Sequence, residues 1–140
     1  MHFVDTNILL YAVSRPPAGQ QEERRKQTIA LQILDRADLA LSVQVLQEFY
    51  VQATRPSRDD RLSHGQATDL IHSWLRYPIQ ENTMALLQAA LATSRRWQIS
   101  LWDSLIVEAA RTLACSVALS EDLQNGMDFA GVRVENPFAA

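Results

Sequence analysis

The first stretch of the chain constrains the fold more than any other, because one acidic residue interrupts an apolar run there. Residues 2–4 (HFV) are typical of a short buried strand. Asp5 ends this run, Thr6 and Asn7 follow it, and residues 8–11 (ILLY) are apolar again. The pattern predicts a strand, a polar turn with capping residues, and the start of a helix.

Asp5 lies at the carboxyl end of the predicted strand. In open α/β sheets, ligands bind in the crevice beyond the carboxyl ends of the strands. Asp5 is therefore a candidate site residue, although a role as a simple helix cap explains it equally well. Only further acidic residues at the same edge would decide between the two.

The 140 residues predict a single domain, residues 1–140, that buries a sizeable core without disulfides. The lone Cys115 excludes a disulfide within the chain. No apolar run approaches the roughly 20 residues that cross a bilayer, and no basic signal-peptide region precedes one, so we expect a cytoplasmic protein without membrane contact.

The net charge of −3 argues against a generally basic nucleic-acid surface. It leaves room for an acidic site that contacts phosphates through a metal ion.

Short apolar strands alternate with helical patterns along the rest of the chain, which predicts a mostly parallel sheet covered by helices on both faces. This is a three-layer α/β/α sandwich. Right-handed crossovers place all carboxyl ends of its strands at one edge. The later predicted strands are 39–43, 78–80, 116–119 and 132–134, and the later predicted helices are 21–37, 43–54, 64–76, 83–97 and 100–114.

Three further acids are expected near Asp5. Asp122 follows the strand at 116–119, Asp103 lies in the first turn of a helix, and Glu48 lies one or two turns beyond the second strand. Each has a simple structural explanation alone, as a turn former, a helix-start residue or a surface glutamate. Together they predict an acidic pocket at one edge of the sheet.

A cluster of carboxylates either has raised pKa values or needs a cation. Two unit charges about 5 Å apart repel by roughly 3 kcal/mol at an effective dielectric constant of 20. Oxygen ligands without nearby His or Cys favour Mg²⁺ or Mn²⁺ over zinc. The chemistry that follows is hydrolysis of a phosphodiester by a metal-activated water.

Four segments together resemble the PIN-domain ribonucleases, and most closely the VapC-type toxins of bacterial toxin–antitoxin pairs. They are residues 5–7 (DTN), Glu48 in LQEFY, residues 101–104 (LWDS) and residues 119–126 (LSEDLQNG). The resemblance covers essentially the whole chain. It implies a parallel sheet between helices and endonucleolytic cleavage of RNA that depends on Mg²⁺ or Mn²⁺.

The resemblance also implies roles for individual residues. Asp5 and Asp103 would be the principal metal ligands, and Glu48 and Asp122 would complete the catalytic pocket, directly or through water. Ser120 would orient the pocket, and Asn7 would form hydrogen bonds within it.

Two other acids, Glu121 and Asp128, lie close to Asp122 in the sequence. Asp122 is preferred from its place in the motif, and a contribution from the other two stays open. Trp102, beside Asp103, is expected to pack in the core, with stacking on a base as the alternative.

The family likeness implies a homodimer and an antitoxin whose C-terminal segment occupies the active-site groove. A dimer surface could use the aromatic residues Phe49, Tyr50, Trp74 and Tyr77, but such residues are more often part of a core.

Other functions fit less well. An aspartyl phosphatase would need an acid where Asn7 stands, and a phospho-accepting receiver domain would need a lysine better placed than Lys26. A degenerate PIN-like module that binds RNA or protein without cleaving remains the alternative.

Overall fold

The computed structural model describes residues 1–139. The strands are β1 His2–Val4, β2 Leu39–Ser42, β3 Ile79–Gln80, β4 Val117–Leu119 and β5 Arg133–Glu135. The helices are α1 Thr6–Val13, α2 Gln21–Leu34, α3 Val43–Ala53, α4 His64–Trp74, α5 Met84–Trp97 and α6 Leu101–Thr112.

The five strands form one sheet in the order β3-β2-β1-β4-β5, and every neighbouring pair is parallel. The first strand lies in the centre, where Phe3 is in register with Ala40 on one side and Ala118 on the other. All carboxyl ends therefore lie at one edge of the sheet. The predicted α/β/α sandwich with a parallel sheet is confirmed.

The three central strands, β1, β2 and β4, are buried on both faces, which explains why they are apolar runs rather than alternating ones. Every residue of β2 and β4 is buried, and Phe3 and Val4 of β1 have no exposed surface. Cys115 is a free, buried thiol. Of the aromatic residues considered for a dimer surface, Phe49, Trp74 and Tyr77 belong to the core and Tyr50 is half-buried.

Hydroxyl side chains begin several of the helices. The Ser42 hydroxyl accepts a hydrogen bond from the Val45 amide at 3.2 Å, which starts α3 at the end of β2. Ser63 and Gln66 form a reciprocal capping box at the start of α4. Such caps satisfy amide groups that the helix itself leaves without a partner.

Some element ends differ from the sequence prediction. Helix α1 begins at Thr6, not at residue 8, because Asp5 itself is the N-cap. Helix α2 ends at Leu34, not at residue 37, with Asp35 as its C-cap, and α4 ends at Trp74. Strand β5 is displaced by one residue, to 133–135, because its register with β4 pairs Arg133 with Val117.

None of the helices within residues 1–139 combines the length and the apolar character that crossing a bilayer requires.

The contact between α3 and α4 allows a test of the core. The Phe49 ring is fully buried and meets the Trp74 ring edge-on, with centroids 4.8 Å apart. Phe49→Ala is expected to lower the free energy of unfolding by about 3–5 kcal/mol, because it removes buried apolar surface and leaves a cavity. Urea unfolding measures the change. Val51→Ala is the control, because Val51 is on the same helix but 58% exposed, and its effect should stay below about 0.5 kcal/mol. Equal losses in the two variants would contradict this assignment of the core.

Candidate active site

Asp5 stands at the junction of the central strand and α1. It caps the helix, and its Oδ1 accepts a hydrogen bond from the Thr6 amide at 2.7 Å. Its Oδ2 accepts a hydrogen bond from the Ser120 hydroxyl, also at 2.7 Å. The side chain is buried, with 6% exposure. Asp5 is therefore both the helix cap and a carboxylate at the edge of the sheet.

Burial is the largest cause that raises the pKa of Asp5, which reaches about 6. The negative charges of Asp122 and Glu48 raise this pKa further, whereas the hydrogen bonds from Ser120 and Thr6 lower it. The Asp5 carboxylate thus interacts electrostatically with two other acids of the predicted pocket.

Glu48 leans from α3 toward the turn after Asp5 and is half-buried. Its Oε2 accepts a hydrogen bond from the Thr6 hydroxyl at 2.9 Å, and its Oε1 accepts one from the Gln44 side-chain amide at 3.0 Å. The same Gln44 amide donates to the carbonyl oxygen of Trp102 at 3.4 Å. Two side chains therefore hold the Glu48 carboxylate between α1 and the start of α6.

The sequence prediction did not include Thr6 and Gln44 as site residues. Gln44 precedes Glu48 by four positions, so the two share one face of α3, and this spacing was the available signal. Nothing in the sequence indicated that the Thr6 hydroxyl reaches a residue 42 positions away.

Asp103 lies in the first turn of α6. Its amide donates to the Ser100 hydroxyl at 3.0 Å, so the cap of the helix fixes its backbone. Partial burial raises the pKa of the Asp103 carboxyl, and the charges of Asp122 and Glu48 raise it further. Asp103, like Asp5, is therefore close enough to Asp122 and Glu48 for their charges to act on it.

Asp122 follows β4 in an exposed loop that two side chains hold in place. The Ser120 hydroxyl accepts hydrogen bonds from the Asp122 and Leu123 amides at 3.1 and 3.2 Å. Asn7 donates from its side-chain amide to Asp122 Oδ2 at 3.2 Å and accepts from the Glu121 amide at 3.3 Å. Ser120 and Asn7 thus connect this loop to the Asp5 turn.

The structure separates Asp122 from the two neighbouring acids. Glu121 forms an ion pair with Lys26 at 2.9 Å and accepts a hydrogen bond from the Tyr11 hydroxyl at 2.7 Å. Asp128 forms a bridge with Arg133, the first residue of β5, and so lies at the amino end of that strand. Its carboxylate accepts from the Gly131 amide. Of the three carboxylates, that of Asp122 is the one that contacts the Asp5 turn, through Asn7.

The acidic group has no protein cation to balance it. The ion pairs formed within residues 1–139 involve none of Asp5, Glu48, Asp103 or Asp122. In the same part of the chain, no group of three or more His, Cys, Asp or Glu side chains is arranged so that it could hold a metal ion. Mg²⁺ does not need three protein ligands, because it commonly takes one or two carboxylates and keeps several waters. The all-oxygen donor set therefore fits a hard divalent cation held by two carboxylates.

A cavity of about 830 Å³ opens beside Asp122. Asn7 and Asp122 line one part of it, and the rest lies against α1 and the loops after α1 and α3. Its wall is mixed, with Leu10 and Pro16 among the apolar residues, and its charged residues are two arginines and five acids: Arg15, Arg58, Glu23, Asp59, Asp60, Glu121 and Asp122. Asp122 is thus the member of the acidic group that borders a space large enough for a ligand.

A sequence model of the PIN domain matches residues 2–126, so the chain belongs to the PIN domain family. The family resemblance proposed from the sequence is confirmed. No curated protein is significantly similar to the chain in sequence.

Several solved structures share the fold at low sequence identity. A toxin–antitoxin complex from Klebsiella pneumoniae aligns with a TM-score of 0.65 and 21% identity, over 98% of each chain. VapC20 of Mycobacterium tuberculosis, a sarcin–ricin loop cleaving toxin, aligns with a TM-score of 0.65 and 18% identity, over 87% of this chain and 92% of that one. VapBC2 from Rickettsia felis, bound to promoter DNA, aligns with a TM-score of 0.62 and 18% identity, over 96% and 97%.

The raised pKa of Asp5 predicts a pH dependence of stability. Because the folded protein binds this proton more tightly than the unfolded chain, the stabilisation is present at low pH and is lost as the pH rises through about 6. The shift from 3.8 to about 6 corresponds to about 3 kcal/mol. Asp5→Asn should therefore gain stability relative to the wild type between pH 4 and pH 7, by up to this amount, in urea unfolding with EDTA present.

Asp38→Asn is the matched control. The hydrogen bond from Arg36 lowers the pKa of the exposed Asp38 to about 2, so its stabilisation is complete above pH 4 and is lost only at lower pH. The difference in free energy of unfolding between Asp38→Asn and the wild type should stay constant from pH 4 to pH 7. If the difference between Asp5→Asn and the wild type is constant too, Asp5 is not desolvated.

Proposed function

We propose that the protein is a metal-dependent endoribonuclease, the toxin of a toxin–antitoxin pair, that hydrolyses RNA phosphodiester bonds. The observation that carries the proposal is the set of acids Asp5, Glu48, Asp103 and Asp122: the charges of Glu48 and Asp122 act on the other two, and within residues 1–139 no ion pair balances any of the four. Such repulsion weakens the fold unless a divalent cation enters.

Asp5 and Asp103 would hold Mg²⁺ or Mn²⁺. Each Asp5 oxygen accepts one hydrogen bond from the protein, so each keeps a lone pair for a further partner. When bound, the ion supplies positive charge for the phosphodiester oxygens and lowers the pKa of the attacking water. The exposed Asp122 and the half-buried Glu48 complete the pocket, directly or by hydrogen bonds to water.

Four neutral side chains position these acids. Thr6 and Gln44 each donate to one oxygen of Glu48. Ser120 donates to Asp5 and accepts from the Asp122 backbone, and Asn7 donates to the Asp122 side chain. We assign them no chemical step, because their role is to fix the carboxylates that would bind the ion or order water.

An RNA strand is the substrate that best fits the surroundings. The cavity beside Asn7 and Asp122 leaves room for nucleotides next to the reacting phosphate. The likeness to the sarcin–ricin loop cleaving toxin also favours RNA. The cytoplasm is the proposed site of action, because RNA is present there.

The proposed partners are an antitoxin protein and a second copy of the chain. Similar folds occur in toxin–antitoxin complexes from Klebsiella pneumoniae and in VapBC assemblies from Rickettsia felis and Salmonella typhimurium. An antitoxin segment that covers the acids would block the substrate.

A second candidate is a PIN-like module that binds RNA or protein without cleaving. The presence of all four acids, each fixed by hydrogen bonds to neighbouring groups or by a helix cap, favours the enzyme. Only the enzyme requires a divalent ion for its activity.

Purified protein, freed of any partner, should cleave RNA with Mg²⁺ or Mn²⁺ and be inactive with EDTA. Asp5→Asn and Asp103→Asn should abolish cleavage, because each removes a charged ligand of the ion, while circular dichroism stays native. Gel analysis of RNA ends measures the activity. Full activity of either variant would refute the assigned site.

Two further variants make this test specific. Ser120→Ala removes a positioning hydroxyl and keeps every acid, so we expect about a 10- to 100-fold loss. Asp128→Asn removes an acid at the opposite edge of the sheet and should cleave like the wild type. Equal losses in Asp128→Asn and Asp5→Asn would indicate an effect of net charge instead of a defined site.

The reading frame next to this one is expected to encode a small protein that co-purifies with the chain and inhibits cleavage. Co-expression and an RNA cleavage assay with and without that protein measure this directly. A genomic neighbourhood without such a frame would favour a stand-alone nuclease.

A further inference from the structure

Trp102 is the one aromatic residue within residues 1–139 whose side chain is exposed to solvent. The chain has four Phe, three Trp and three Tyr. All ten lie within residues 1–139, and every one except Trp102 is buried or half-buried. Trp102 is 63% exposed, whereas Trp74 is 4% exposed. The expectation that Trp102 packs in the core is wrong, so the fold gives no reason for an indole at this position.

The position of Trp102 relative to the acids is fixed. It precedes Asp103 in the first turn of α6, and its carbonyl oxygen accepts a hydrogen bond from the Gln44 amide that also holds Glu48. Successive residues of a helix point about 100° apart. The Trp102 backbone is therefore tied to the group that holds Glu48, and its exposed indole projects from α6 about 100° around the helix from the Asp103 side chain.

The surroundings favour a contact that does not depend on charge. The four carboxylates repel the phosphates of a nucleic acid, and the chain carries a net charge of −3. Arg58, one of the basic residues along the cavity, is already paired with Asp60 at 2.8 Å. A base that stacks on an aromatic ring stabilises a complex without any ion pair. Such stacking accepts any base, because every base has a π-face.

We propose that the Trp102 indole stacks on a base of the RNA next to the phosphate that the acids cleave. The inference rests on the proposed nuclease function and names a substrate contact for that same site. The cavity beside Asn7 and Asp122 and the indole beside Asp103 border the acids at different points. An RNA strand that crosses the acids has space for nucleotides in the cavity and a stacking surface at Trp102.

Binding is measured with poly(A) RNA in EDTA, so that no cleavage occurs. Trp102→Ala should bind about 5- to 150-fold more weakly than the wild type, and Trp102→Phe should lie between the two, because a smaller ring still stacks. The loss should be nearly the same at low and high salt, since a stacked base releases no counterions. Leu31→Ala is the matched control: Leu31 is 49% exposed but lies near the end of α2, before β2 begins, and this variant should bind like the wild type.

Fluorescence provides a second, structural readout. Poly(A) should quench the tryptophan emission of the wild type, and the quenching should be lost in Trp102→Phe, which retains Trp74 and Trp97. Inorganic polyphosphate, which carries charge without bases, should leave the emission unchanged. In the free protein, acrylamide should quench the Trp102 contribution, as expected for an exposed indole.

The outcomes separate this inference from the proposed function. Cleavage of RNA by Trp102→Ala with an unchanged KM, together with unchanged poly(A) binding, would overturn the stacking contact and leave the nuclease intact. An indole that acrylamide cannot reach in the free protein, as in a homodimer that covers it, would overturn the inference too. A wild type that neither binds poly(A) nor cleaves RNA would refute both.

Discussion

The hydrogen bond from the Ser120 hydroxyl to the Asp5 carboxylate holds the candidate site together. It joins the end of the central strand to the end of β4, across 115 positions of sequence. The same hydroxyl accepts two backbone amides of the following loop and so determines where Asp122 lies. Burying a carboxylate without hydrogen-bond partners would cost folding free energy. The Ser120 side chain provides such a partner for Asp5 and also an acceptor for the two loop amides.

The acids oppose the stability of the fold that carries them. The folded protein holds Asp5 with its pKa raised to about 6 by burial and by its acidic neighbours. Elsewhere the central strands are buried, and hydroxyl groups cap the starts of α3 and α4. Local destabilisation confined to one edge of a well-packed sheet is typical of a functional site. The same edge carries an exposed indole, a second departure from ordinary burial.

Much of the fold could be predicted because its signals are local. Apolar runs and helical periodicity placed each of the five strands and six helices, and the fold class is confirmed. Errors occurred at element ends, as at Thr6 and Leu34, where a capping residue and not the apolar pattern decides the boundary. The choice of Asp122 over Glu121 agrees with their contacts, since Glu121 is held by Lys26 and Tyr11. The catalytic roles of the acids stay predictions.

The sequence by itself determined that strands alternate with helices and that acids follow the strands, because backbone propensity and burial periodicity act between near neighbours. Only the tertiary structure decided that Thr6 and Gln44 hold Glu48 and that Trp102 is exposed. The contacts of Glu48 join distant segments of the chain. The exposure of Trp102 depends on whether another element packs against the first turn of α6. No local pattern carries that information, because the same residues would be explained equally well as core or as surface.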